Sequence, residues 1–180
     1  MFQLSPDISI KKLSVDDAEE LYPVALKAYK DHYLHLWYDK GEWYIEKSFS
    51  LTALQNELRN TNSLFYLVYY QLQPVGFLKL NIQAPLLNKN IIEENALELE
   101  RIYLAQEVTG KGIGKALILF TENIALTKKK RCIWLKVMDS STEVIAFYKK
   151  TGFEKCGTYV LPFTQMKEEY RGMFIMQKNI

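Results

Sequence analysis

A glycine-rich turn between a strand and a helix constrains this 180-residue chain more than any other feature. The segment VTGKGIGKALILF, residues 108–120, has three glycines at alternate positions and opens an amphipathic helix. The run LELERIYLA immediately before it is typical of a strand. Backbone N–H groups in the first turn of a helix lack intrahelical acceptors, and the helix dipole favours negative charge there. The order strand, turn, helix therefore predicts a site for a phosphate-bearing ligand.

Two familiar phosphate-binding motifs do not fit the spacing of these glycines. A P-loop, GxxxxGK followed by Ser or Thr, would need a glycine at Thr109 and a hydroxyl at Ala116. A dinucleotide-binding GxGxxG motif would need its third glycine where Lys115 stands. The run T-G-K-G-I-G instead resembles the acyl-CoA pyrophosphate loop of the GNAT superfamily of N-acetyltransferases, Q/R-x-x-G-x-G/A. This resemblance implies cofactor binding by Thr109, Gly110, Lys111, Gly112, Ile113, Gly114 and Lys115.

Composition excludes several other classes of protein. The length, with 48% hydrophobic and 24% charged residues, predicts one soluble domain over 1–180. The net charge of +2 gives no general indication of nucleic-acid binding, and the basic run at 128–131 is interpreted as a solvated helix end. Cys132 and Cys156 lack metal-ligand spacing. This spacing gives no reason to expect a metal. Because no signal peptide or membrane span is apparent, we expect a cytoplasmic protein.

The predicted elements follow the order used by the same superfamily. Hydrophobic periodicity predicts strands over 7–13, 64–70, 75–82, 97–105, 132–138, 153–161 and 172–178. It predicts helices after a capping box at Ser14, over 51–58 and 112–128, and from a capping box at 140–143 to Gly152, with one or two short helices in 29–49. Residues 83–95 are predicted as a polar loop. The fold class is therefore α/β (α+β), the GNAT fold, with a mixed, mostly antiparallel central sheet flanked by helices on both faces.

A second motif strengthens the resemblance. SSTEVIAFYKKTGF, residues 140–153, is similar to the superfamily's N-x-x-A-x-x-F-Y-x-x-x-G-F, with Ser141 at the Asn position and Val144 at the Ala position. Across residues 8–178, segments including LELERIYL and IAFYKKTGF resemble PaiA-type spermidine/spermine N-acetyltransferases. The resemblance implies transfer of an acetyl group from acetyl-CoA to a primary amine in a ternary complex, with a polyamine as the expected acceptor.

The resemblance also implies roles for particular residues. Tyr148 matches the general acid that protonates the leaving thiolate, and Ser141 and Tyr148 are expected beside the cofactor. The strand Ile102, Tyr103, Leu104 is expected to pair with the pantetheine arm, and an amide at Tyr103 or Leu104 to stabilise the oxyanion.

Two carboxylates are candidates for receiving the proton of the amine. Deprotonating an amine of pKa near 10.4 at pH 7 costs about 4.6 kcal/mol, so an acceptor is useful. Glu98 and Glu100 share a face if their strand is regular, whereas a bulge would split them. Glu100 is the preferred acceptor, directly or through water. The alternative is that one or both only pair with Arg101, Lys111 or solvent.

The acceptor side is less constrained by the sequence. Residues 29–49 hold carboxylates and aromatic rings of the kind that bind a polycation: Asp31, Tyr33, Trp37, Tyr38, Asp39, Glu42, Trp43, Tyr44 and Glu46, with His32 and His35. The same aromatics could instead pack helices onto the sheet. Alternative functions are acetylation of a protein or peptide, and a non-catalytic acyl-CoA-binding regulatory module. A homodimer is possible, but no sequence feature demands it.

Overall fold

The computed structural model describes residues 1–88 and 91–180 and contains ten strands and five α-helices within them. The strands are β1 Phe2–Gln3, β2 Ile8–Lys12, β3 Ser63–Tyr70, β4 Gln73–Asn81, β5 Leu86–Asn88, β6 Ile91–Glu93, β7 Ala96–Leu104, β8 Cys132–Met138, β9 Glu154–Val160 and β10 Gly172–Asn179. The helices are α1 Ala18–Tyr33, α2 Glu42–Phe49, α3 Leu51–Arg59, α4 Ile113–Thr127 and α5 Thr142–Lys150.

Eight of the described strands form one sheet in the order β1-β2-β3-β4-β7-β8-β10-β9. Neighbouring strands are antiparallel except for β7 and β8, which run parallel. The sheet is therefore mixed and mostly antiparallel, as predicted. The hairpin β5–β6 stands outside it and contacts β9, where the Asn88 amide donates to the carbonyl oxygen of Cys156 (2.6 Å).

Helices cover both faces of the sheet because alternate strand residues are apolar on each side. On one face, Leu80 and Leu99 pack with Leu117 of α4 and Ile145 of α5. On the other, Phe65 and Phe77 pack with helices α1 to α3 through side chains such as Leu21, Phe49 and Leu54. The sheet is thus held between two apolar layers, and its middle strands are fixed from both sides.

Most predicted elements are confirmed, with boundaries shifted by one or two residues. The capping box at Ser14 forms, since the Ser14 N–H donates to Asp17 Oδ2 (2.8 Å), and α1 runs through Pro23 to Tyr33. The capping box at 140–143 is wrong: Ser141 is the N-cap of α5 and makes no side-chain capping bond. Gly152, with φ of +92°, ends α5 as predicted.

The prediction of a polar loop over 83–95 was incomplete. This segment holds β5 and β6, which leave Leu87 and Ile92 exposed while Leu86 joins a small core with Trp134. Residues 89 and 90 of that predicted loop lie outside the described residues. Cys132 and Cys156 are free thiols. In the described chain, no helix has both the length and the apolar character that crossing a membrane requires.

Candidate active site

A cleft opens where two parallel strands separate in the middle of the sheet. Strands β7 and β8 pair only from Ala96 with Cys132 to Glu98 with Trp134, although both strands continue further. The cleft between their carboxyl ends has a volume of about 240 Å³. Its walls include Glu98, Glu100, Ile102, Tyr103, Lys136, Ser141, Val144 and Tyr148. The structure thus brings both candidate carboxylates and the candidate general acid to one cavity.

Strand β7 carries a β-bulge at the candidate carboxylates. Leu80 pairs with Leu99, but its neighbour Lys79 pairs with Arg101, so Glu100 is the extra residue. The premise of a regular strand was therefore wrong. The bulge does not split the carboxylates, because Glu98 Oε2 and Glu100 Oε2 both accept hydrogen bonds from Asn81 Nδ2, at 2.9 and 2.7 Å.

Glu100 belongs to a compact network of ion pairs. Its carboxylate contacts Lys79 Nζ at 2.7 Å and the Arg101 guanidinium at 3.1 Å, and Glu57 of α3 contacts the same two cations. Burial raises the pKa of Glu100, but Arg101, Lys79 and the bond from Asn81 together outweigh it and hold that pKa below its ordinary value. Glu98 has a weaker cationic neighbour, Lys136 Nζ, at 3.7 Å. Glu98 is therefore less neutralised by charged neighbours than Glu100.

Tyr148 lies in α5 with its ring buried against the sheet. The side chain is 8% exposed, and its ring packs on Phe147 and Phe153 with centroids 5.2 and 5.5 Å apart. Burial raises the pKa of Tyr148 well above its ordinary value. Its hydroxyl therefore keeps its proton at neutral pH while facing the cleft, which is the state a general acid needs.

The glycine-rich turn joins the end of β7 to α4 beside the cleft. Gly110 and Gly112 both have φ of +78°, and a Cβ on either would meet no atom within 4 Å. The first intrahelical bond of α4 runs from the Ala116 N–H to the Gly112 carbonyl oxygen (3.1 Å), so the preceding amides are free of intrahelical acceptors. The turn thus presents backbone donors and open space to solvent, with Lys111 and Lys115 exposed.

Comparison with known proteins agrees with this geometry. The model of the acetyltransferase (GNAT) family matches residues 18–153. This chain belongs to the GNAT family.

A relative found by sequence and a solved structure, both from Thermoplasma acidophilum, are similar to this chain over most of its length. A spermidine N(1)-acetyltransferase is 33% identical over 152 residues, which cover 82% of this chain and 88% of the relative. The crystal structure of PaiA N-acetyltransferase in complex with coenzyme A superposes with a TM-score of 0.73 at 30% identity, covering 96% of this chain and 99% of that one. The GNAT fold predicted from the sequence is confirmed.

A second solved structure shows the fold alone. Ribosomal-protein-alanine N-acetyltransferase from Brucella melitensis superposes with a TM-score of 0.70 at 21% identity, over 96% of this chain and 99% of its own.

The residues of the turn fit a coenzyme A pyrophosphate. Open space at Gly110 and Gly112 lets a phosphate approach the backbone, and the α4 amides before Ala116 have no intrahelical acceptor. Gly114 has a different reason to be glycine, because a Cβ there would lie 3.1 Å from Phe147 Cζ. Ile113 can contribute only its backbone, since its side chain is 1% exposed in the core. The described residues contain no group of three or more His, Cys, Asp or Glu side chains suited to a metal ion.

The open edge of β7 presents backbone groups to the same region. The Ala105 N–H donates to the Val75 carbonyl oxygen (2.8 Å), so this amide faces the β4 side of β7. Because successive amides of a strand alternate in direction, the amides of Leu104 and Ile102 face away from β4. Of the two predicted oxyanion donors, Leu104 therefore has the suitable direction, and Tyr103 does not.

An aromatic wall closes the side of the cleft opposite α5. Tyr33, Trp37 and Tyr44 line the cavity as the sequence suggested, and Trp37 stacks on Tyr44 with centroids 4.9 Å apart. Leu161, Phe163 and Met166, between β9 and β10, complete the wall. Sequence reasoning missed these residues, because their segment has no periodic pattern that could have revealed them.

The four carboxylates proposed for this wall do not line the cleft. Asp31 pairs with Lys27 and accepts a bond from the Gln106 N–H (3.0 Å). Asp39 accepts bonds from the N–H groups of Gly41 and Trp43 at the start of α2. Glu42 and Glu46 are absent from the cavity walls of the described chain, and so are Tyr38, Trp43, His32 and His35. The negative charge in the cleft comes from Glu98 and Glu100.

Proposed function

We propose that this protein transfers the acetyl group of acetyl-CoA to a primary amine of a polyamine by direct attack in a ternary complex. The observation that carries the proposal is the single cleft that joins Tyr148, two carboxylates and the open edge of β7. Membership of the GNAT family supports the acetyl transfer. The similarity to a spermidine N(1)-acetyltransferase supports the acceptor class.

Glu98 is the better candidate to receive the proton of the amine. Glu100 is held by Lys79 and Arg101, and its lowered pKa makes it a weak base. Glu98 lines the same cavity, its side chain is 15% exposed, and among the described residues its ion pair is with the more distant Lys136. The structure therefore favours the reverse of the preference drawn from the sequence. Glu98 takes the proton directly or through water, and Glu100 helps to hold it in place.

A backbone donor and a side-chain donor then stabilise the negative charges that develop on the carbonyl oxygen and on the leaving sulfur. The Leu104 N–H, on the free side of β7, stabilises the carbonyl oxygen that becomes negative as the amine attacks. The Tyr148 hydroxyl supplies a proton to the sulfur as the thiolate leaves. The residues from Ile102 to Leu104 pair with the extended arm of the substrate, and the amides of the turn and of α4 bind its pyrophosphate.

The cleft walls suit an extended polycation. Aromatic faces attract ammonium groups, and one ring of the wall already has such a contact: Lys47 Nζ lies 4.8 Å from the ring centroid of Phe163 and, outside the cavity lining, 4.7 Å from that of Trp43. Tyr33, Trp37 and Tyr44 offer further rings along the cavity. Carboxylates at one end and rings along the side would hold the reacting amine and a second ammonium together.

Steady-state assays of thiol release with a panel of acceptors test this proposal. The panel contains spermidine, spermine, a monoamine of matched length and a peptide with a free N-terminus. We expect kcat/KM for spermidine to exceed that of the monoamine by at least about tenfold, because a second ammonium adds at least about 1.4 kcal/mol of binding. A preference for the peptide would replace the polyamine with a protein acceptor. Tight CoA binding without turnover of any acceptor would indicate a non-catalytic module.

A further inference from the structure

Asn81, the last residue of β4, lies between the two carboxylates of the cleft. Its side-chain nitrogen donates to Glu98 Oε2 at 2.9 Å and to Glu100 Oε2 at 2.7 Å. Its side-chain oxygen accepts a hydrogen bond from Ser63 Oγ on β3 at 2.8 Å. Three neighbouring strands thus meet at one amide group.

The chemistry of these groups fixes the orientation of the amide. A carboxylate only accepts hydrogen bonds, and an Asn NH₂ carries two donors. The nitrogen must therefore face Glu98 and Glu100, because the opposite orientation would place a carbonyl oxygen against two anions. The bulge at Glu100 leaves this sharing intact, since Glu98 and Glu100 both accept hydrogen bonds from the same amide nitrogen. One donor serves each carboxylate.

Glu98 and Glu100 differ in the number and the distance of their cationic neighbours. Glu100 has Lys79 and Arg101 at 2.7 and 3.1 Å, whereas Glu98 has Lys136 at 3.7 Å. The remaining titratable groups around the cavity are Tyr29, Tyr33, Tyr44, Tyr103 and Tyr148, with Glu57 bound to Lys79 and Arg101. The bond from Asn81 to Glu98, at 2.9 Å, is shorter than the ion pair of Glu98 with Lys136, and the Asn81 amide lies between two groups of like charge.

We infer that Asn81 is a positioning residue for acetyl transfer, whose two amide donors orient Glu98 toward the reacting amine and separate its carboxylate from that of Glu100. The catalytic part of this inference rests on the proposed function. The electrostatic part is the effect of the Asn81 amide on the charges of Glu98 and Glu100. It involves only these three side chains, so it can be measured without turnover.

Carbon-13 NMR of labelled glutamate carboxyls tests the electrostatic part. Glu98→Gln and Glu100→Gln assign the two signals. In Asn81→Leu, which has a similar size and no donor, we expect at least one of these carboxyls to titrate about one to two pH units higher, because a hydrogen bond to a charged group is lost. Asn81→Asp places a third carboxylate there and should raise the titration further. Unchanged titration of both carboxyls in folded Asn81→Leu and Asn81→Asp would overturn the inference.

A matched control separates this effect from general damage to the hairpin. Asn62 lies at the same end of the β3–β4 hairpin and donates from its side chain to the Gln83 carbonyl oxygen (3.1 Å), away from the cleft. Asn62→Leu should leave both titrations unchanged. Ser63→Ala, which removes only the bond that orients the Asn81 amide, should shift them in the same direction as Asn81→Leu but by less.

The kinetic test uses the pH dependence of kcat with acetyl-CoA and spermidine. We expect the acidic limb of the Asn81→Leu profile to move to higher pH, with kcat about tenfold below wild type near pH 5 and within about twofold near pH 9. A merely structural residue would lower kcat equally at all pH values, and that result would contradict the positioning role. If wild-type protein acetylates no amine, the proposed function fails, while the NMR titration still decides whether Asn81 controls the carboxylates.

Discussion

At the scale of single residues, the surroundings of Tyr148 and Glu100 shift the pKa values of these two groups of the cleft in opposite directions. Burial raises the pKa of Tyr148 and so keeps its proton in place, whereas Lys79 and Arg101 keep Glu100 charged against the effect of burial. At pH 7 the Tyr148 hydroxyl is protonated and the Glu100 carboxylate is charged, and the two shifts widen the separation that the ordinary pKa values of these groups already provide.

Removing the Tyr148 hydroxyl should slow catalysis without weakening cofactor binding. We expect Tyr148→Phe to keep the Kd for CoA within about twofold and to lower kcat by about 10²-fold, within the usual range for a general acid. Tyr66→Phe is the matched control, because Tyr66 is also buried but lies on β3 outside the cleft, and it should leave kcat unchanged. A Tyr148→Phe enzyme with wild-type kcat would remove Tyr148 from the mechanism.

The ion pairs of Glu100 should make folding stability depend on pH. Because the folded-state pKa of Glu100 is lowered, its contribution is present above the ordinary pKa and is lost as pH falls through the folded value. We expect Glu100→Gln to lower the unfolding free energy at pH 7 by about 1.5–3 kcal/mol and to flatten the loss of stability below about pH 4. Urea unfolding across pH measures both effects. Parallel pH curves for wild type and variant would contradict the pairing.

At the scale of elements, the bulge in β7 and the turn before α4 build the two halves of the site. The glycines of the turn are required for different structural reasons. Gly110 and Gly112 adopt positive φ in open space, whereas Gly114 lets α4 approach Phe147 of α5. The alternating glycines therefore serve two purposes: Gly110 and Gly112 leave the backbone exposed, and Gly114 permits close packing between helices α4 and α5.

Substitutions in the turn should separate the effect on CoA binding from the effect on helix packing. We expect Gly112→Val to raise the Kd for CoA at least about tenfold, because a side chain fills the space where phosphate approaches. Gly114→Val should lower the melting temperature, because its side chain would press on Phe147. Gly152→Ala, at a positive φ remote from the turn, controls for backbone strain and should leave the Kd unchanged. Wild-type CoA affinity in Gly112→Val would refute the assignment of the turn.

At the scale of the whole molecule, the sequence predicted what is local and missed what depends on strand pairing. The glycine turn and the Tyr148 motif were found because their chemistry lies within a few consecutive residues. The bulge at Glu100 and the roles of Asn81 and Lys79 depend on the register between β4 and β7, which periodicity does not reveal. The loop between β9 and β10 lacks any periodic pattern, so its place in the cleft wall was not predictable.

Ligand binding should stabilise the folded molecule, because the cleft and turn exist only when β7, α4 and α5 are in place. CoA at about 100 times its Kd should add about 2.7 kcal/mol to the unfolding free energy and raise the melting temperature by about 5–10 °C. Gly112→Val should show a smaller shift at the same CoA concentration. An equal shift in wild type and variant would mean that CoA binds elsewhere.

The central claim is that the splayed strands β7 and β8 form a site where an amine attacks acetyl-CoA directly. Initial rates of thiol release, measured over a grid of acetyl-CoA and spermidine concentrations with mass spectrometry of the product, test it most directly. We predict intersecting double-reciprocal lines and one acetylated spermidine for each thiol released. Parallel lines would contradict direct attack, and thiol release without acetylated spermidine would contradict the transfer itself.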